Sequence, residues 1–522
     1  MILITLLIAC SGSNESSGET DNNSGETNNN SGETNKEESP NDTKQVEQVL
    51  NIANDQEPAG LDPHKTPAHS SVRIYSQVYN GLVQFDGSMQ IQGDLAKDWE
   101  QPDDTTYIFN LREGVTFHNG NDMTAEDVKY SFERIMNEET ASHIASYFAN
   151  VESIEVLGDY QIQFNLKSTD ATFLSNLTNA SAAVVDQTVV EENGDLQQVA
   201  IGTGPFKFVE WVPDNKVVLV RNEDYYNEDL PKLDKVIYYT MKDEAARLSA
   251  IRTGEVDLTS LTAKSASLLK NQENITIKDY QSLEYSYIGF NVEHEILSNV
   301  KVRQALSLAT NRESIADLVW NGDAVVSGPV APSMGDWAID VKAHELYSND
   351  IEKAKQLLEE AGYPEGFDIT ITTASTYADM VDTAQILQQQ WKEIGVNVEV
   401  KQIEWGAYID TWLNTSADIL VGRNGSGTDP DRALNYFFHT NGSANVWNFS
   451  DSNFDQLVET GKVTVDEAKR KDIYTQAQES LLELSPNLFL VSPMKYVAVR
   501  DSVEGFTPYP HDGEYILEIT KK

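Results

Sequence analysis

From Val46 onward, short runs with apolar residues at every second position alternate with longer runs in which they recur every three or four. The first pattern turns one face of a strand toward a core, and the second puts an apolar stripe on a helix. Tyr107, Phe109 and Leu111, and again Ile162, Phe164 and Leu166, predict strands over Tyr107–Leu111 and Ile162–Leu166. Val217–Arg221, Lys235–Thr240, Asp368–Thr373, Asn397–Gln402 and Tyr496–Arg500 have the same character. Thr124-Ala-Glu-Asp127 has the form of a capping box opening a helix whose Val128, Phe132 and Ile135 share a face. Over Ser348–Ala361 the stripe is Ile351, Ala354, Leu357, Leu358 and Ala361, with Gly362 placed to end the helix. Val302–Ala309 and Asp382–Ile394 also predict helices. Strands interleaved with helices predict an α/β protein. Units near Lys235–Asp257 and Asp368–Val400 suggest two lobes, and the strand-rich stretch from about Leu82 to Ala200 suggests a third region.

The pattern is absent before Val46. Met1–Ala9 is almost wholly apolar and ends at Cys10, the chain's one cysteine, so no disulfide framework is available. Leu7-Ile8-Ala9-Cys10 resembles a bacterial lipobox, which predicts a signal segment over 1–10 and lipidation of Cys10. The apolar run is short for a signal and lacks a basic flank, so either translation starts upstream or the signal is atypical. Ser17–Glu37 holds three seven-residue units, SGETDNN, SGETNNN and SGETNKE, with no apolar residue. Such a segment cannot offset its ordering entropy, and residues 11–45 are expected to be a disordered tether. No later segment has 18 uncharged apolar residues, so the remainder is expected to be soluble.

Charge narrows the partners. The chain has 38 Lys and Arg against 83 Asp and Glu, and 38 − 83 = −45. Acids are spread along the chain, a field that repels nucleic-acid phosphates and excludes that class of partner. It fits either a solubilising surface or adaptation to a salty medium, where screening weakens self-repulsion.

Four stretches, in order, resemble the family 5 extracellular solute-binding proteins of ABC importers, which include peptide, dipeptide and nickel binders. The first is Leu95–Trp99 with Thr106–Gly120 and Thr124–Val128; the second is Gly202-Thr-Gly-Pro-Phe206 with Arg221–Tyr226. The third is Gly289-Phe-Asn291 with Val300–Leu306. The fourth is Ala354–Tyr363, Trp391–Val396 and Asp429-Pro430. The resemblance covers nearly all of residues 50–515 and implies a two-lobe, periplasmic-binding-protein-like α/β fold with an extra region. It implies a cleft that closes on solute and two interlobe crossovers. It assigns 46–81, 201–284 and 495–522 to a discontinuous lobe I, 82–200 to a subdomain inserted in it, and 285–494 to lobe II. The implied activity is capture of di- or oligopeptides outside the cell for two permeases and two ATPases. The protein would be a lipid-anchored monomer on the outer face of the membrane, with no cofactor or resident metal.

Within that family the ligand loop precedes Asp429-Pro430, here Val421-Gly-Arg-Asn-Gly-Ser-Gly-Thr-Asp-Pro430. Ser426 stands where typical peptide binders carry an aspartate for the peptide's α-ammonium group, and Arg423 stands at a position often aromatic. Arg423 either takes a ligand carboxylate or pairs with Asp429, Asp431 or another acid. The segment Ala374–Tyr377 lacks the arginine that dipeptide binders use for the ligand carboxylate. Tyr377, Trp405, Tyr408 and Trp447 are candidates for flat, tolerant walls or for plain core packing. Tyr287, Asn291 and Asn424 are polar candidates; His64, with Thr66 and His69, falls in the family's first cleft loop. Gly114, Gly120, Gly202 and Gly204 are expected to serve turns or close approach, and Arg112 and Arg303 local hydrogen bonds.

Rival classes have less behind them. Asn424 breaks the G-x-S-x-G pattern around Ser426, and no P-loop or H-E-x-x-H occurs. The eight histidines are scattered, which disfavours a metal site and leaves oligosaccharides, opine-like compounds or nickel chelates as alternative ligands for the same fold.

Overall fold

The computed structural model describes residues 47–86, 90–442, 444–509 and 514–522. The expected signal segment, Cys10 and the tether lie outside the described residues. Residues 47–522 form one compact unit. Among the described residues no helix is long and apolar enough to cross a membrane.

Three sheets organise the unit, each with its own core. The largest is eight-stranded and mixed. Its centre is Val49–Asn54, parallel to Lys235–Thr240 on one side and Leu258–Leu261 on the other. Lys216–Arg221 and Phe206–Val212 extend one edge. Val491–Arg500 and Ile275–Gln281 extend the other. Buried Leu50, Ile52, Val217, Leu219, Val236 and Tyr238 supply one face of its core, as strand alternation requires.

A four-stranded antiparallel sheet follows the order Ala96–Asp103, Thr106–Leu111, Gln161–Leu166, Val151–Gly158. Helix Ala125–Met136 lies over it. Thr124 and Asp127 form the reciprocal capping box, satisfying two N–H groups that a helix start otherwise leaves orphaned. Phe132 meets Phe148 and Phe164 edge-to-face, both at 5.1 Å, which locks this small core.

The third sheet has five strands in the order Asn397–Ile403, Asp368–Ala374, Ile419–Gly425, Glu284–Phe290, Asn487–Phe489. Helices Val300–Leu308, Ile351–Glu360, Ala378–Trp391 and Glu467–Leu484 surround it. The second of these starts at Ile351, the first residue of its apolar stripe and three residues after the expected Ser348. Asp350 accepts from Lys353 N at 3.0 Å, and Asn349 turns the chain at φ 54°. Strand Val491–Arg500 starts five residues earlier than alternation suggests. Its first three residues are buried on both faces, so they carry no period-two signal, and they pair with Ala324–Val326.

The chain passes between the large sheet and the five-stranded sheet at Gln281–Glu284 and returns at Phe489–Val491, giving two lobes side by side. Hydroxyls stitch the two crossings. Ser492 Oγ donates to Ser282 O at 3.3 Å and Ser286 Oγ to Val491 O at 3.1 Å. Leu490 N donates to Ser286 O at 2.9 Å, and Lys495 pairs with Glu284.

The Gly202-Thr-Gly204 motif needs its glycines for space: a Cβ on Gly202 would lie 2.2 Å from Val78 O, and one on Gly204 2.4 Å from Val78 C. His118 clamps the same segment. Its Nε2 donates to Gly204 O at 2.9 Å while Nδ1 accepts from Gly202 N at 3.4 Å, a pattern only one neutral tautomer satisfies. Burial holds this imidazole down to about 4. Because the folded value lies below the unfolded one, the neutral ring's contribution is complete above about pH 6.5 and is lost as pH falls toward 4. His118→Gln is expected to cost ~1–3 kcal/mol at pH 7.5 and to flatten the fall in stability between those limits. Urea unfolding over a pH series tests this; curves for the two proteins that run parallel refute it.

Candidate functional site

Between the lobes lies a cavity of about 650 Å³. The large-sheet lobe and its subdomain contribute Tyr79, Asn80, Tyr147 and Asn176, the crossing contributes Glu284, and the five-stranded lobe contributes Asp431 and Arg432. The inserted region and the five-stranded lobe touch directly: Ala171 N donates to Lys462 O at 2.8 Å, and Arg432 donates to the Tyr147 hydroxyl. The lobes therefore meet across the cleft, with the crossings as its spine.

Each wall carboxylate is held by protein donors. Arg470 grips Asp429 through two bonds of 2.8 and 2.7 Å. Asp431 accepts from Tyr474 OH at 2.9 Å, and burial, with the Asp429 charge adding, pushes it up to about 6. Asp94 accepts from Asn80 Nδ2 at 3.0 and 3.1 Å and from Tyr226 OH at 2.6 Å, and burial raises it to about 6. Glu284 is lowered: burial alone would raise it, but the Lys495 ammonium beside it, with the Arg423 and His69 charges adding, outweighs that. Burial, with the Arg432 charge adding, holds His143 below the usual imidazole range.

The residues expected from the sequence are mostly elsewhere. Of the eleven, Asp429 alone is on the cavity wall, where Arg470 occupies it; His69 from the first cleft loop joins it. His64 is fully buried, bonded to Ala183 O at 3.0 Å and Arg134 at 2.7 Å, in a cluster whose centre is the Arg134–Asp62 ion pair. Tyr287 and Trp447 pack edge-to-face at 5.3 Å in the core of the five-stranded lobe, and Trp412 donates to Tyr287 OH at 3.2 Å. Asn291 serves its own turn, accepting from Glu293 N at 3.1 Å. Asn424 faces Tyr285 in the strand register and is off the wall.

Tyr377, Trp405, Tyr408 and Arg423 do come together, as a separate cluster. Trp405 stacks on Tyr408 at 5.3 Å and meets Tyr377 edge-on at 5.0 Å. Tyr408 OH donates to Val421 O at 2.9 Å. Arg423 lies over Tyr377 at 4.6 Å and faces Asp379 at 3.6 Å, so it has an acid partner, though neither of the two aspartates named from the sequence. Sequence reasoning missed Tyr147, Asn176, Glu284, Asp431, Arg432 and Lys462 on the wall. Asp431 and Arg432 directly follow the quoted ligand loop, and extending it would have found them; Tyr147 and Asn176 come from the inserted region and carry no local signal.

Ser426 is fully buried between lining residues Gly425 and Gly427. Its N–H donates to Leu283 O and its Oγ accepts from Ala331 N, both at 2.8 Å. It joins the loop to the crossing. Ser426→Ala strands a buried N–H and is expected to cost ~1–3 kcal/mol of stability. Thermal unfolding reads the loss; an unchanged midpoint refutes the structural role.

Residues 90–445 match the family model for bacterial extracellular solute-binding proteins, family 5 Middle. The di/tripeptide-binding protein 1 of Pseudomonas aeruginosa is 30% identical over 501 residues, covering 89% of this chain and 93% of that one. The structure of DppA from Helicobacter pylori in complex with the peptide STSA superposes with TM-score 0.78 at 29% identity, covering 91% of this chain and 98% of that one. AppA from Bacillus subtilis in complex with a nonapeptide gives 0.79 at 26%, covering 92% and 100%.

Proposed function

From the premise that this chain belongs to the bacterial extracellular solute-binding proteins of family 5, we propose that it captures di- or oligopeptides in the interlobe cavity and delivers them to an ABC importer. The carrying observation is a cavity of about 650 Å³ walled by both lobes beside two stitched crossings. That volume lies within the ~300–1,000 Å³ of small-ligand sites. Closing the lobes around solute couples occupancy to a shape that a membrane partner can read, with no covalent step required. The protein acts as a monomeric binding component and not as an enzyme.

Peptides are preferred to the other solutes of this family on two grounds. The relatives named above bind peptides, and among the described residues no group of three His, Cys, Asp or Glu could hold a metal ion. The cluster of Tyr377, Trp405, Tyr408 and Arg423, with Trp405 38% exposed, offers further contact surface beyond the cavity. The lobe boundaries near residues 284 and 495, with 82–200 as an insertion, belong to the same reading.

A thermal-shift screen over di- to nonapeptides, oligosaccharides and nickel–histidine tests the ligand class. Peptides are expected to raise the midpoint, since ligand at 100 Kd adds ~2.7 kcal/mol. A shift only with sugars or nickel chelates refutes the peptide assignment. We also place the protein on the outer face of the membrane, anchored through lipid on Cys10. Intact-mass analysis of membrane-extracted protein is expected to find Cys10 acylated at the mature N-terminus; an unmodified cysteine in a soluble fraction refutes it.

A further inference from the structure

The charges on the cavity wall are unevenly satisfied. Asp94, Glu284, Asp429 and Asp431 all have donors supplied from outside the cavity. Arg432 forms no ion pair among the described residues, and its one hydrogen bond runs to the neutral Tyr147 hydroxyl. That leaves most of the five N–H donors of a guanidinium uncommitted on the wall of the interlobe cavity. In a chain with 83 acids and 38 basic residues an arginine without a carboxylate is unexpected. Arg423, by contrast, already faces Asp379 at 3.6 Å.

The position of Arg432 is built. Its guanidinium lies over the Tyr436 ring at 4.6 Å and the Tyr147 ring at 5.8 Å, so aromatic faces hold the plane while leaving its edge available. Its stem folds back across Gly427, where a Cβ would stand 2.4 Å from Arg432 Cδ; the same residue has φ 71°, a second reason for glycine there. Lys462, a second cation on this wall, is 4.0 Å from Asp170, whose Oδ1 already accepts from Thr172 N and Oγ1. Adding a ligand carboxylate at this place would give the fork its planar, two-bond partner and offset a charge that closure otherwise leaves partly desolvated.

We propose that Arg432 is the anchor for a carboxylate of the bound peptide, and so sets a preference for ligands that present one at the seam between the inserted region and lobe II. The inference rests on the peptide reading above. The carboxylate is either the C-terminus or an acidic side chain, and three probes separate them: Ala-Ala-Ala, Ala-Ala-Ala-amide and Ala-Glu-Ala-amide, titrated by calorimetry into the full chain. At least one carboxylate-bearing probe is expected to bind roughly ten- to hundredfold tighter than Ala-Ala-Ala-amide. Preference for Ala-Ala-Ala identifies the terminus, and preference for Ala-Glu-Ala-amide the side chain. Arg432→Gln is expected to weaken the carboxylate-bearing probe far more than the amide and so remove that preference, and Arg432→Lys to keep part of it. Equal weakening of acid and amide would make Arg432 a closure contact only and overturn the proposal, as would a wild-type protein that binds all three alike. Either result leaves the peptide reading standing, whereas failure of all peptides to bind overturns both. The wild-type comparison decides the matter even if Arg432→Gln does not fold.

Discussion

The two adjacent crossings between lobes are the constraint on which the rest depends. A chain crossing once would leave the lobes free to twist; two neighbouring strands allow one bending direction. Their ties are made of small hydroxyls. Ser282 O accepts from Ser333 Oγ at 2.8 Å and Ser492 Oγ at 3.3 Å, and Ser286 Oγ donates to Val491 O at 3.1 Å. Short side chains let the strands pass closely and satisfy backbone groups that leave one sheet before entering the next. Ser426 extends this stitching to the cavity loop, so the spine and the wall are one hydrogen-bonded body.

That body explains why the wall can carry four carboxylates. A buried carboxylate without donors is costly, and each here is held by an arginine, lysine, tyrosine or amide of the protein itself. The wall is thus pre-organised before ligand arrives, and its acids are not free to chase a ligand's ammonium group. The surface of a chain at −45 repels anions at long range, yet at contact distance the uncommitted charge is Arg432. Overall field and local site have opposite sign, and the local one governs at contact because the surface field is screened beyond ~10 Å in ordinary salt.

Most of the fold was legible because it is written in short-range patterns. Phe109 and Phe164 sit where alternation puts them, and Thr124 and Asp127 cap the helix that the S/T-x-x-D spacing announces. The first half of Val491–Arg500 was hidden because burial on both faces erases the period of two. The site was far less legible. Trp447 reads as a cleft wall or as core packing and Tyr287 as a polar candidate, but Gly289 leaves room for both in the core: a Cβ there would fall 2.1 Å from the Trp447 ring. His64 reads as a cleft residue, but Arg134, 70 positions away, draws it and Asp62 into a buried network. These outcomes turn on long-range partners that no local spacing encodes. Arg432 was overlooked for a simpler reason, since the quoted ligand loop stops at Pro430, two residues short of it.

Closure is held unequally at its two ends. The spine has a dense set of hydrogen bonds, whereas the seam between the inserted region and lobe II has the Ala171–Lys462 backbone bond, the Tyr147–Arg432 contact and a long Lys462–Asp170 approach. At ~1 kcal/mol net per hydrogen bond, that seam alone supplies little bias toward the shut state. A ligand must therefore contribute most of the difference between open and closed, and it can do so only through groups contacted from both lobes at once. Arg432, carried by lobe II and touching Tyr147 of the inserted region, stands at such a point. Reversal is correspondingly easy: a membrane partner that pulls the seam apart has few protein bonds to break, and the solute loses its second wall as the seam opens.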